Sequence, residues 1–198
     1  MGVRPGRPSA WTRSHVAGLV AALDGLGETL ATVERWGAIL GERLAGGHRL
    51  LIAGNGGSAA LAEQLAAGLV GRFARERRGL GALALTADGS IVTAVADDFG
   101  ALDVFARQVE AHARTGDMVL FLSTTGSSPN LLVAAEAARD LGVMSWAMTG
   151  QAPNALADLC DAAVAVDAAD AGTVQEVHQL LVHVLVRAVD EATFLEAG

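Results

Sequence analysis

Arg49-Leu-Leu-Ile-Ala-Gly54-Asn-Gly-Gly-Ser58-Ala-Ala60 is the stretch that decides the fold. Residues 50–53 form an apolar run of the length expected for a buried strand. Glycines at 54, 56 and 57 break the run, and Ser58 stands where a helix is predicted to begin, as its N-cap. A strand, a glycine turn and a helix N-terminus in succession make an anion site. The glycines admit a ligand close to the backbone, and the unpaired N–H groups of the first helical turn face it with the positive end of the dipole.

The same alternation continues downstream. Strands are predicted at 50–53, 82–86, 117–122, 143–148 and 162–166, separated by helices at 58–74, 90–96, 101–114 and 128–141. A long helix follows at 173–195. The strands are short and apolar throughout, as in a parallel sheet covered on both faces. The fold class is therefore α/β, a doubly wound parallel five-stranded sheet. Upstream, helices are predicted at 10–24 and 28–45, broken by Gly25 and Gly27 and ended by Gly46 and Gly47. This N-terminal helical hairpin needs a partner for its apolar face, either the later layers or another subunit. Residues 1–9 read as a flexible tail, and 10–198 as one domain that includes the hairpin.

Composition narrows the function. The chain has 198 residues, 52% hydrophobic, with 4% aromatics, no Tyr and a net charge of −8. Few aromatics and a negative charge argue against direct nucleic-acid binding, so an anionic ligand must be held locally. Cys160 is the only cysteine, which excludes an intrachain disulfide and a multi-thiolate zinc site. No apolar run reaches membrane-spanning length, and the N-terminal residues lack the apolar core of a secretory signal. Gly2 follows Met1, but Gly6 occupies the position where an acylation signal carries Ser or Thr. A cytoplasmic location is expected.

Four stretches carry candidate chemistry. Gly54-Asn-Gly56-Gly57-Ser58-Ala59 loosely matches a dinucleotide fingerprint. The nearest acidic residue of the kind that would hold a ribose is Asp88, 34 positions after Gly54 rather than about 20. No Gly-Lys-Ser/Thr ending marks a nucleoside-triphosphate loop. Residues 123–130, Ser-Thr-Thr-Gly-Ser-Ser-Pro-Asn, put five hydroxyls after a strand and before a helix. Ligands bind at that end of open α/β sheets, and hydroxyls donate to phosphate without adding charge. Alone the stretch also fits a helix-capping turn; with the first loop it fits a phosphate cradle. Ala96-Asp97-Asp98-Phe99-Gly100 offers carboxylates for sugar hydroxyls, or simply a cap. Gln175-Glu-Val-His178 and His183 lie on the last helix; Gln175 and His183 share a broad face of it but stand about 12 Å apart along it.

Taken together and in order, Gly-Asn-Gly-Gly-Ser-Ala, Asp-Asp-Phe-Gly, the hydroxyl loop and Gln-Glu-x-His…His resemble the sugar isomerase (SIS) domain of the phosphoheptose isomerases. The resemblance spans about residues 10–192. It implies interconversion of sedoheptulose 7-phosphate and a heptose 7-phosphate by a homotetramer, with the N-terminal helices in its core and active sites between subunits. By position it assigns Asn55, Gly56, Gly57, Ser58, Asp97 and Asp98 to the substrate, and Ser123, Thr124, Thr125 and Ser128 to its phosphate. Gln175 would touch substrate or metal. His183 would be the acid/base group or a metal ligand. The family places Asn where Asp97 stands.

One departure bears on chemistry. The family carries a His and, four residues later, a Glu on the helix after the glycine loop. Both are zinc ligands, and the Glu is the base. Here Gln64 and Gly68 occupy those positions. Glu63 is no replacement, being rotated about 100° around the helix. A neutral amide is a poor zinc ligand and Gly68 offers no group at all. Gln175 and His183 are the metal candidates that remain. Two readings follow. The chain is an isomerase relying on His183, or it is a non-catalytic relative acting as a regulatory, assembly or hetero-oligomer subunit beside a protein partner or catalytic paralogue. The Arg72, Arg75, Arg77, Arg78 cluster could serve such a partner, or form a solvated loop.

Overall fold

The structure, a computed structural model, describes residues 7–195. Most of the expected tail, residues 1–6, lies outside the described residues. Five parallel strands run β1 (Arg49–Gly54), β2 (Gly81–Ala84), β3 (Met118–Ser123), β4 (Met144–Thr149) and β5 (Ala162–Ala165), in the spatial order β2-β1-β3-β4-β5. The helices are α1 (Ala10–Asp24), α2 (Gly27–Ala45), α3 (Gly57–Val70), α4 (Gly89–Asp98), α5 (Ala106–His112), α6 (Pro129–Asp140), α7 (Ala155–Leu159) and α8 (Ala171–Leu195).

Side-chain alternation along the strands separates two cores. Leu50, Ile52, Leu120, Leu122 and Met148 face α2, α3 and α8. Leu51, Ala53, Val119, Phe121 and Ala147 face α5, α6 and α7. Both faces of the central strands are covered, which is why they read as unbroken apolar runs. On the first side Trp36 of α2 stacks on Trp146 of β4, ring centroids 4.6 Å apart. Helix α2 also packs tightly on α8. A Cβ at Gly41 would come within 2.7 Å of Ala192 Cβ, and one at Gly37 would overlap Ala188.

The hairpin is therefore divided in its loyalties. Helix α2 buries Val33, Trp36, Leu40 and Leu44, whereas α1 buries none of its residues fully. It lays His15, Leu19 and Ala22 toward α8 and leaves Val16, Val20 and Leu23 exposed on another face. No single described helix is long and apolar enough to cross a membrane.

Two predicted helices are shorter than expected, and one helix was not predicted. The helix expected at 58–74 stops at Val70, because Gly71 ends it and the Arg77 guanidinium takes the carbonyls of Gly68 (2.8 Å) and Leu69 (2.7 Å). The helix expected at 101–114 shrinks to Ala106–His112 after a run of turns that starts at Gly100, whose φ is 98°. The single-turn α7 has no sequence periodicity to announce it; Asn154 caps it by accepting from Ala157 N–H at 3.0 Å.

Candidate functional site

Strand order reverses between β1 and β3: from β1 the chain goes outward to β2, then returns across to β3. At such a point the loops leaving neighbouring strands diverge and open a crevice beyond their carboxyl ends. The two loops singled out above are the two that leave β1 and β3.

Gly54 ends β1 so close to α3 that a Cβ there would lie 2.8 Å from the Ser58 carbonyl carbon. Gly56 takes φ +54°, a region open chiefly to glycine. The N-cap is Gly56 rather than Ser58, and no side chain caps the helix. Ser58 lies inside the first turn, buried, its N–H bonded to the Asn55 carbonyl at 2.9 Å. This corrects the expected serine cap. The glycine cap puts no side chain over the N-terminus of α3, where the Ser58, Ala59 and Ala60 N–H groups bond back to the Asn55 and Gly56 carbonyls.

In the second loop the buried Ser123 hydroxyl accepts from the Gly126 N–H at 3.0 Å, which shapes the turn. Thr125 accepts from Ser127 Oγ at 3.1 Å. Ser128 is the N-cap of α6, yet its hydroxyl makes no capping bond and Pro129 follows. Thr124 is pressed against Gly150, where any Cβ would collide with the Thr124 carbonyl. The loops meet through a reciprocal amide pair: Asn55 Nδ2 donates to Asn130 Oδ1, and Asn130 Nδ2 to Asn55 Oδ1, each at 2.9 Å. Sequence reasoning quoted Asn130 within its loop but gave it no role.

Helix α8 supplies the third wall. The Gln175 carboxamide lies directly against Gly57, where a Cβ would overlap it. Further along, His183 meets α3. Gln64 Nε2 lies 3.0 Å and Gln179 Nε2 2.8 Å from His183 Nε2. Both contacts bring a carboxamide nitrogen, a donor, to the same imidazole nitrogen. The Phe73 ring is tilted on the imidazole, 5.4 Å between centroids. Gln179 went unremarked in the sequence, although it lies one turn before His183, at the spacing that aims two helical side chains at one point.

The donor set does not fit zinc. Nε2 of His183 is engaged by two amides, and Gly68 contributes nothing. No hydrogen bond joins Gln175 to His183, and among the described residues no group of three or more His, Cys, Asp or Glu converges as a metal site. Asp97 and Asp98, at the end of α4, are exposed and make no hydrogen bond or ion pair with any described residue. The structure thus joins the glycine loop to the hydroxyl loop through Asn55 and Asn130 and to α8 through Gly57 and Gln175, sets His183 further along the α3–α8 contact, and leaves the side chains of both aspartates without a bond to these residues.

Two other histidines flank α8. His178 is fully buried, donates from Nε2 to the Thr149 carbonyl at 3.1 Å, and leaves Nδ1 without a partner. Burial pushes its pKa below 6.5. His15 stacks on Trp11 and bridges Glu176 (3.1 Å) and Asp170 (3.3 Å), tying α1 to the start of α8. The hydrogen bond to Glu176, more than any other contact, raises its pKa above 6.5. The two contributions to stability run in opposite directions. That of His178 is complete above 6.5 and is lost as pH falls toward its lowered value. That of His15 is complete below 6.5 and is lost as pH rises through its raised value. In urea unfolding followed across pH, wild type should therefore exceed His15→Gln in stability at pH 5–6, and the gap should close in alkali. A gap independent of pH would contradict this.

The SIS domain model matches residues 18–150, two thirds of the chain. A phosphoheptose isomerase of Streptomyces coelicolor is 50% identical over 184 residues, covering 93% of this chain and 79% of that one. Another, of a Bradyrhizobium species, is 40% identical over 185 residues, covering 93% and 92%. Among solved structures, a phosphoheptose isomerase from Neisseria gonorrhoeae superposes with a TM-score of 0.80 at 31% identity over 92% of this chain and 96% of that one. One from Francisella tularensis gives 0.79 at 30%, over 92% and 95%. The chain is a SIS-domain protein. It belongs to the phosphoheptose isomerase family.

Proposed function

We propose that this protein binds an open-chain sugar phosphate and interconverts sedoheptulose 7-phosphate and a heptose 7-phosphate, with His183 moving the proton. The observation that carries this reading is the placement of both hydroxyl- and glycine-rich loops at the β1/β3 reversal, with His183 further along the same α3–α8 groove. The phosphate takes the open N-terminus of α3 and the hydroxyls of Thr125 and Ser128. Helix dipoles and neutral donors suffice there, because an acidic protein gains nothing by a wider positive field. Gln64 lies seven residues beyond Gly57, about 10 Å along α3. A phosphate at the loop and a carbonyl at His183 are thus separated by several carbons, which suits a long-chain sugar phosphate better than a triose.

In the reaction a proton passes between C1 and C2 through an enediol, while a hydroxyl proton passes between the oxygens on the same two carbons. The amides hold the His183 ring in one orientation. The same amides solvate the ring nitrogen that would accept a proton, so transfer requires that one of them swing to the substrate oxygen. Asp97 and Asp98 complete the sugar-hydroxyl contacts from a second subunit. The reading includes assembly as a homotetramer in the cytoplasm; association is supported by the exposed apolar face of α1, which a neighbouring copy would cover. The whole of 10–198 then acts as one SIS domain.

A second reading is favoured by one feature. Gly68 leaves the family's base position empty, as a binding subunit with no chemistry of its own would. Incubation with sedoheptulose 7-phosphate, followed by NMR for aldose, separates the two. Turnover supports the first; saturable binding without aldose supports the second.

Gly57→Ala is the sharpest local test of the crevice. The new methyl group would displace the Gln175 carboxamide, a flexible end, so the fold should persist. Affinity for the sugar phosphate should fall by about tenfold. Calorimetric titration beside a melting curve checks both; unchanged affinity would remove Gln175 from the site.

A further inference from the structure

Asn130 lies on the first turn of α6, Asn55 in the turn after β1, 75 residues earlier. The two carboxamides exchange both possible N–H···O bonds at 2.9 Å. They stand across the sheet's reversal point, between an uncapped helix N-terminus on one side and the Ser128 cap of α6 on the other.

Three physical facts give this pairing a consequence. First, an amide pair of this kind saturates the inward-facing donor and acceptor of each partner, so it fixes separation and orientation together. Second, among the described residues no other side-chain hydrogen bond joins the glycine loop to the hydroxyl loop. Gly56 adopts φ +54°, and no side chain caps α3. Third, the pair is neutral. A carboxylate–cation pair would span the same gap, but its negative partner would oppose an anion bound between two helix N-termini.

We infer that Asn130 is a positioning residue that clamps the glycine loop to the hydroxyl loop and so sets the width of the crevice for a phosphate monoester. The inference rests on the sugar-phosphate reading of the crevice. Asn130 acts through Asn55 and the backbone of residues 54–57, not on the reacting carbons.

The test uses the full-length protein with Asn55→Ala, Asn130→Ala, the double variant, and the isosteric Asn130→Asp. Calorimetry measures affinity for sedoheptulose 7-phosphate, and hydrogen–deuterium exchange reads residues 54–58 without ligand. Asn130→Ala should weaken binding about tenfold and speed loop exchange, with the melting temperature little changed. The double variant should bind no more weakly than Asn55→Ala, because removing both halves of one clamp is not additive. Asn130→Asp loses two donors and sets an oxygen against Asn55 Oδ1. It should therefore bind more weakly than Asn130→Ala at pH 7 and recover as pH falls and the new carboxyl takes up a proton. Independent, multiplying losses would overturn the clamp, as would an Asn130→Ala protein with wild-type affinity and exchange. If wild type itself fails to bind, the functional reading falls. The clamp is then judged on exchange alone: faster exchange on loss of Asn130 supports it, and unchanged exchange overturns it.

Discussion

Gln64→His and Gly68→Glu introduced together are expected to raise turnover of sedoheptulose 7-phosphate by about 10²-fold or more, and to raise the affinity for zinc. The expectation comes from helix geometry. Positions 64 and 68 share one face of α3, and that face already reaches α8, since Gln64 touches His183. A Cβ at Gly68 would sit 3.5 Å from Val186 Cγ1, an ordinary contact, so a side chain can start there without a backbone clash. Replacing a glycine in the last turn of α3 should itself stabilise the helix, by at most about 0.5–1 kcal/mol. A positioned base contributes about 10²–10⁴-fold, and a carboxylate beside His183 would be that base. Mass spectrometry for bound zinc and NMR-followed turnover check the two halves separately. A folded double variant that gains neither would mean that α3 does not present these positions to the substrate.

The second large effect concerns stability. Arg77→Met should cost about 3–5 kcal/mol in denaturant unfolding. Asp190 on α8 has a side chain with 0% exposure, and Arg77 Nε lies 2.7 Å from its Oδ1. Asp190 also accepts from Ala74 N–H at 3.0 Å. The same guanidinium caps the carbonyls at the end of α3. Removing it leaves a buried carboxylate and several carbonyls unsatisfied at once, and both faults are expensive. Arg72→Met is the control. Its partner Glu76 lies 4.0 Å away, and both side chains are mostly exposed, so its loss should stay within about 0.5 kcal/mol. Similar losses for the two variants would contradict the assignment.

That contrast shows how far the sequence could be read. The arginine cluster looked uniform, a solvated loop or a docking patch, because charge says nothing about burial. Arg77 differs through Asp190, 113 residues away, a pairing that only the packing of α8 on α3 creates. The strands and the first and last helices were legible because apolar runs and glycine breaks are local. The glycine and hydroxyl loops were legible for the same reason. Their meeting at the β1/β3 reversal was not, since strand order is a long-range property. Ser58 was expected as a cap on propensity grounds; the close approach of Gly54 to Ser58 draws that residue into the first turn and leaves the cap to Gly56. Gln64 was recognised as a departure, but its bond to His183 depended on two helices meeting. Asp97 and Asp98 carry no partner that could have been inferred from either level.

The measurement closest to the central claim is calorimetric titration of the wild-type protein with sedoheptulose 7-phosphate and, in parallel, with unphosphorylated sedoheptulose. A crevice built from the open end of α3 and the Thr125 and Ser128 hydroxyls predicts saturable binding of the phosphate ester, near one site per chain, and none of the free sugar at the same concentrations. Equal binding of the two sugars, or no heat from the phosphate ester, would contradict it.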